Sequence, residues 1–109
     1  MVKVLVTKDK HGTYRGFTSS GHAGYADAGE DIICSALSML QINTINAIER
    51  IALCNVLSKS DAKKGLLEVK FSDDFNEKAE VLMDAMILGI ESVIESYGKQ
   101  YVSLKIKEQ

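Results

Sequence analysis

The chain has 109 residues, of which 46% are hydrophobic and 26% are charged, a balance typical of a globular domain. Thirteen basic and fifteen acidic residues leave a formal charge of −2, which does not favour a nucleic-acid partner, because phosphate binding ordinarily needs a basic excess. The absence of proline and the presence of only eight glycines exclude a proline-rich linker or a collagen-like chain. Residues 1–109 are therefore predicted to form a single domain.

The first predicted element is a hairpin. Residues 2–8 alternate and are rich in valine, which indicates a strand. A turn signal at residues 9–12 follows, and residues 14–20 are expected to return as the second strand. Residues 21–31 contain three glycines and no hydrophobic periodicity, so we interpret them as a loop.

A helix is predicted from Ile32 to about Leu53, with Asp31 as its N-cap. Asp31, Cys34 and Ser38 stand at i, i+3 and i+7, so they share one stripe of this helix. That stripe, which continues through Ser35, Gln41 and Glu49, is expected to face away from the apolar arc. The predicted apolar arc consists of Ile32, Ile33, Ala36, Leu37, Met39, Leu40, Ala47 and Ile48.

The second half predicts one more helix and two more strands. Residues 58–65 are polar and are interpreted as a loop, and residues 66–71 alternate as a third strand. Residues 74–77 resemble a capping box, and Gly98 is a natural stop for the helix that follows. Residues 100–107 alternate again as a last strand. The order β-β-α-β-α-β predicts an α+β two-layer sandwich, with two amphipathic helices on one face of a four-stranded sheet.

The candidate chemistry lies where the loop meets the first helix. Cys34 falls in the first helical turn, where the helix dipole favours the reactive thiolate, although the neighbouring Asp31 carboxylate opposes it. His22 lies in the loop and can take a proton from a thiol near neutral pH. A cysteine with a histidine is the minimum for nucleophilic acyl transfer. The loop glycines would let the chain fold back over the helix and offer amides to an oxyanion: Gly21, Gly24 and Gly29.

Plainer interpretations stand beside these. Cys34 could be a small buried hydrophobe, His22 a surface residue, Asp31 only a cap and Ser38 a solvated helix residue. A metal site built from His22, Asp31 and Cys34 is a further alternative, although no CxxC or HxxxH spacing supports structural zinc. A thiol transferase that uses Cys34 would be another.

Two features of the sequence favour a cytoplasmic protein. The N-terminus is too short and too interrupted for a signal-peptide core, and no apolar run approaches the roughly 18 residues of a membrane span. Cys34 and Cys54 are therefore expected to be free thiols in a reducing compartment, with Cys54 in the core.

Two segments together resemble the signature of the Prp family of ribosomal-processing cysteine proteases. The first is Ser20-Gly-His-Ala-Gly-Tyr-Ala and the second is Gly29-Glu-Asp-Ile-Ile-Cys-Ser-Ala-Leu-Ser38. Both halves are specific, with glycine-histidine in the loop and glycine-x-aspartate before the helix cysteine. Ile33, Ser35 and Leu37 are mild variations, and the likeness extends over the whole chain.

This resemblance implies a cytoplasmic cysteine endopeptidase without a cofactor. Such enzymes remove the N-terminal extension of the twenty-seventh protein of the large ribosomal subunit, and they tend to form homodimers. The resemblance makes Cys34 the nucleophile and His22 its base, with supporting roles for Asp31 and Ser38. It implies that the glycine-rich loop closes over the peptide. The alternative is a catalytically silent, ribosome-associated or regulatory homodimer.

Overall fold

The computed structural model describes residues 1–24, 26 and 31–109. Within these residues five strands form one sheet in the order β3-β4-β2-β1-β5, with β1 and β5 parallel and the other neighbours antiparallel. The elements are β1 (Val2–Lys8), β2 (Tyr14–Ser20), α1 (Ile32–Arg50), β3 (Val56–Asp61), β4 (Leu66–Phe71), α2 (Glu77–Tyr97) and β5 (Val102–Glu108).

The prediction of four strands is wrong, because β3 lies largely within residues that the sequence predicts as a loop. This strand lies at the edge of the sheet, and four of its six residues are exposed, so its sequence lacks the alternation that marks a half-buried strand. It pairs with β4 in a hairpin that turns through residues 62–65. The α+β architecture is as predicted, with the element order extended to β-β-α-β-β-α-β.

The buried face of α1 differs in part from the predicted apolar arc. Ile33, Leu37 and Ile48 are buried as expected, whereas Ile32 and Met39 are 50% and 71% exposed. Gln41, predicted on the outer stripe, is instead buried. Its amide donates to the Ser19 Oγ at 3.2 Å, and this bond removes the cost of burying a polar group.

The N-cap of α2 lies two residues later than predicted, because the capping box at residues 74–77 would place it at Asp74. Asn76 is the N-cap, and its side-chain oxygen accepts from the Ala79 amide at 3.0 Å. The Asp74 carboxylate is engaged elsewhere, by the backbone and side-chain nitrogens of Asn55. The predicted stop at Gly98 is confirmed, since Gly98 caps the helix at a φ of 120°.

Both helices contribute to one hydrophobic core on a single face of the sheet. Valines at alternate positions of β1 supply the sheet side of this core, and α1 and α2 supply its other side. By length and composition alone α1 would also pass for a membrane span, but its buried stripe identifies it as a core helix. The main buried members of the core are Val2, Val4, Val6, Phe17, Ile33, Leu37, Ile48, Val69, Met83, Met86 and Ile90.

Candidate active site

Cys34 lies in the first turn of α1, as predicted, and its thiol faces the segment that follows β2. The turn is fixed by Asp31, whose Oδ1 accepts from the amides of Ile33 and Cys34, both at 3.0 Å. The Ala23 amide donates to the Cys34 Sγ at 3.3 Å, so the loop backbone is in direct contact with the sulfur. Asp31 is therefore confirmed as the N-cap, and Ala23 of the predicted loop lies against the helix start.

The net electrostatic effect at Cys34 is opposite to that expected from the helix dipole. Burial raises the pKa of the Cys34 thiol above its usual value, and the charge of Asp31 and a hydrogen bond to its carboxylate raise it further. The hydrogen bond from Ala23 lowers this pKa, but it does not outweigh burial. Cys34 is thus held as a neutral thiol that needs a base to become a nucleophile.

His22 is exposed, and its backbone and its ring contact different parts of the chain. The amino group of Met1 donates to the His22 carbonyl at 2.7 Å, which ties the loop to the start of β1. A ring nitrogen, Nε2, lies 3.4 Å from the Lys63 carbonyl in the β3–β4 turn. A side chain at Gly65, which has a φ of 59°, would press on the ring with its Cβ 3.0 Å from Cε1. The structure gives these two described residues, His22 and Cys34, no hydrogen bond to each other.

A groove of about 360 Å³ joins these residues. One wall is α1, the other is the end of the β3–β4 hairpin, and the floor is formed by β1 and β2. Its lining combines polar side chains with leucine and isoleucine side chains. The lining residues are Val2, Ser19, Gly21, His22, Cys34, Leu37, Ser38, Gln41, Ile42, Ser60, Asp61, Ala62, Gly65, Leu66 and Leu67.

The remaining predicted site residues differ in their placement. Ser38 is exposed and lines the groove one turn after Cys34. Gly21 also lines it, with a φ of 95° and no room for a side chain because a Cβ would meet the Met1 carbonyl oxygen. Gly24 has a φ of 71° in open space. Gly29 lies outside the described residues.

Sequence reasoning missed the hairpin wall and the polar floor. Ser60 and Asp61 belong to β3, within residues that the sequence predicts as a loop, whereas Leu67 lies in the predicted strand at 66–71, whose pairing with β3 the sequence does not show. Gln41 could have been found, because it shares the helical stripe of Cys34 and Ser38 at i+3 from Ser38. Its burial depends on Ser19, however, and strand pairing far along the chain places that residue.

The metal-site alternative has no structural support. Among the described residues, which include His22, Asp31 and Cys34, no group of three histidine, cysteine, aspartate or glutamate side chains is arranged to hold a metal ion. Cys34 and Cys54 are both free thiols, as predicted, and Cys54 is buried in the core.

A neutral thiol at a helix start, beside a histidine in a peptide-sized groove, defines a candidate thiol-hydrolase site. Residues 1–103 match the family model described as cysteine protease Prp. The chain belongs to this family of cysteine proteases.

Relatives of similar length match nearly the whole chain, and solved structures share its fold. The ribosomal processing cysteine protease Prp of Staphylococcus aureus is 23% identical over 99 residues, covering 91% of this chain and 93% of the relative. The protein of the same name from Bacillus subtilis is 22% identical over 101 residues, covering 89% and 90%. A crystal structure of the S. aureus protease with a covalently linked product peptide superposes with a TM-score of 0.90, at 23% identity over 98% of this chain and 100% of that one. A Streptococcus mutans structure gives a TM-score of 0.84, at 31% identity over 100% and 96%.

Proposed function

We propose that this chain is an endopeptidase that removes the N-terminal extension of the twenty-seventh protein of the large ribosomal subunit, with Cys34 as nucleophile and His22 as base. The observation that carries the proposal is that Cys34 and His22 line one groove in a member of a cysteine protease family. Two further findings support a peptide substrate. The curated relatives are named ribosomal processing proteases, and the S. aureus enzyme has been crystallised with a substrate peptide.

The raised thiol pKa favours a mechanism in which deprotonation accompanies attack. Because Cys34 is neutral in the resting state, His22 would have to accept the thiol proton as Sγ attacks the scissile carbonyl. Its ring would first exchange its contact with the Lys63 carbonyl for one with the sulfur. The same proton would then pass to the leaving amine, and water would release the acyl-enzyme with His22 again as base.

The oxyanion donor we favour is the Ala23 amide. The helix-start amides of Ile33 and Cys34 are already taken by the Asp31 carboxylate, so they are not free to bind a developing oxyanion. The Ala23 amide points at Sγ and is released when the sulfur forms its bond to carbon. Asp31 then has a positioning role, since it holds the turn that presents Cys34.

The apolar part of the groove lining supports a substrate with a bulky apolar side chain near the cut. Leu37, Leu66 and Leu67 line this stretch, and burying one such side chain there would contribute about 2 kcal/mol to binding. The two free thiols support the cytoplasm as the place of action. The homodimer implied by the family resemblance is part of the same proposal.

The chain offers matched controls for testing the dyad. A peptide that spans the processing region of the ribosomal protein from the same bacterium would be incubated with the wild type and each variant, and the products read by mass spectrometry. We expect a single cut, abolished by Cys34→Ala and reduced at least about a hundredfold by His22→Ala. Cys54→Ala and His11→Ala remove the other thiol and the other imidazole outside the groove, so they should keep the same cut.

Three results would contradict the proposal. Cleavage that survives Cys34→Ala would show that Cys34 is not the nucleophile. Equal losses of cleavage in His22→Ala and His11→Ala would show that His22 is not the base. No cut in either the peptide or the full-length ribosomal protein, with circular dichroism showing a folded chain, would favour the silent homodimer.

A further inference from the structure

The face of the sheet that the helices leave open carries a concentration of lysines that the net charge conceals. Val4 and Val6 point into the core, so the alternate side chains of β1 point to the opposite face. Strand register extends this face across the other strands, since Leu5 pairs with Lys105 and Thr18, and Thr7 with Lys107. The five lysines on this open face are Lys3, Lys59, Lys70, Lys105 and Lys107, and all are exposed.

Acidic residues on the open face are too few to neutralise these lysines. Glu68 lies opposite Lys59 on the neighbouring strand, and Asp61 lies at the edge, where its carboxylate accepts from the backbone amides of the β3–β4 turn. Among the described residues, none of the five lysines takes part in an ion pair. The face therefore has a net charge of +3, from five lysines against two carboxylates, in a chain whose total is −2.

The opposite side of the molecule is acidic. Helix α2 carries five exposed acidic side chains and a single lysine, Lys78. The two faces are thus oppositely charged, and a polyanion approaching the molecule would be drawn to the open sheet face and repelled from α2.

We propose that the open sheet face is a docking surface for RNA, bound through its phosphates. The distance across the face from Lys59 to Lys105 is four strand spacings, about 19 Å, which several phosphates of one strand can span. The half-buried hydroxyls of Thr18, Ser20 and Ser103 lie between the lysines and are suited to the ribose 2′-hydroxyl.

Two other occupants fit the face less well. A second copy would set lysines against lysines, and like charges directly opposed are unfavourable. Binding to an anionic membrane would require several exposed apolar side chains that insert into it. On this face Leu57 is 71% exposed but Leu5 and Leu66 are half-buried, which is too little apolar surface for insertion. None of the described side chains on this face is aromatic and able to stack bases, so we expect little sequence preference.

The surface meets the groove only at one end, where Asp61 and Leu66 belong to both. The groove opens between α1 and the end of the β3–β4 hairpin, whereas Lys70, Lys105 and Lys107 lie toward the other end of the open face. An enzyme that acts on a ribosomal protein would thereby bind RNA near its substrate and keep Cys34 accessible. The choice of RNA over other polyanions rests in part on the proposed function.

The test compares two triple variants with the same change in charge. Lys70→Gln/Lys105→Gln/Lys107→Gln removes charge from the open face, and Arg50→Gln/Lys78→Gln/Lys99→Gln removes it elsewhere. Binding of a fluorescein-labelled 20-nucleotide single-stranded RNA would be measured by anisotropy between 50 and 200 mM salt. We expect the open-face variant to bind RNA at least about tenfold more weakly than the wild type. Its plot of log K against log salt should be shallower by about 2, because each of the three lost phosphate contacts contributes roughly 0.7 to the slope. The control variant should bind as the wild type does.

Every other result overturns the inference. Those results are no binding at 50 mM salt, equal losses in both variants, DNA of the same sequence bound as tightly as RNA, or phosphatidylglycerol vesicles bound in preference to RNA. Peptide cleavage is measured in parallel and should be unchanged in the open-face variant. A wild type that binds RNA without cutting the peptide would count against the proposed function alone, and one that cuts without binding would count against this inference alone.

Discussion

The protonation of the Cys34 thiol depends on the groups around it that shift its pKa. Burial is the largest influence and raises the pKa of the thiol, but the Asp31 carboxylate is the one that a single substitution can remove. Asp31→Asn keeps an oxygen that can cap the helix and deletes the negative charge. Because a nearby negative charge opposes the thiolate, we expect the pKa of Cys34 to fall and its alkylation by iodoacetamide to begin at lower pH. The pH profile of alkylation, followed by mass spectrometry, measures this directly.

Asp31→Ala separates the electrostatic role of Asp31 from its capping role. It removes the charge and also leaves the amides of Ile33 and Cys34 without their partner, so it should cost about 1 kcal/mol in urea unfolding. Asp31→Asn should cost clearly less. An alkylation profile in Asp31→Asn that stays in place or moves to higher pH would show that Asp31 does not hold the thiol neutral.

At the scale of elements, the groove depends on the β3–β4 hairpin staying attached to β2. Gly16 lies where a Cβ would meet the Val69 carbonyl oxygen of β4, so Gly16→Ala should push the two strands apart. We expect a loss of about 2 kcal/mol in stability, together with reduced peptide cleavage because one wall of the groove shifts. Thr18→Val, on the same strand and also paired with β4, keeps a β-branched side chain and should preserve both. Equal effects in the two variants would mean that the close approach at Gly16 is not what holds the hairpin.

Local sequence was a good guide wherever one residue decides the structure. The strands at 2–8 and 14–20, the Asp31 cap, the first-turn position of Cys34 and the stop at Gly98 are all as predicted. Each follows from alternation, a capping side chain or a positive φ, which involve only near neighbours.

The errors arose where a distant partner decides the structure. Strand β3 is an edge strand exposed on both faces. It forms because it pairs with β4, and its own sequence carries no strand pattern. Gln41 is buried because Ser19 on β2 receives its amide. Asp74 does not cap α2 because Asn55 engages its carboxylate, which leaves the cap to Asn76. At the site, the sequence predicts that Cys34 and the loop lie close together. The hairpin wall could not be predicted, because it depends on the tertiary pairing of β3 with β4.

For the whole molecule, the uneven charge limits how two copies could associate. The open sheet face would set lysines against lysines with little apolar surface to bury, whereas α2 presents an exposed apolar stripe made of Val81, Ala85 and Leu88, although acidic side chains flank it. Val81 and Leu88 are 65% and 67% exposed and stand seven residues apart, so they project from one side of the helix. The homodimer that the family resemblance implies would therefore be expected to form through α2.

Leu88→Glu tests this arrangement, because a charge buried at the centre of an apolar interface is strongly unfavourable. We expect sedimentation equilibrium to show the wild type at about twice the 11.9 kDa of one chain, and Leu88→Glu at the mass of one chain. Leu57→Glu is the matched control, since Leu57 is 71% exposed on the open sheet face, and it should remain dimeric. Dissociation by Leu57→Glu but not by Leu88→Glu would place the interface on the sheet instead. That result would also set the dimer in competition with RNA for the same lysines, because two copies cannot pair through a face that RNA occupies.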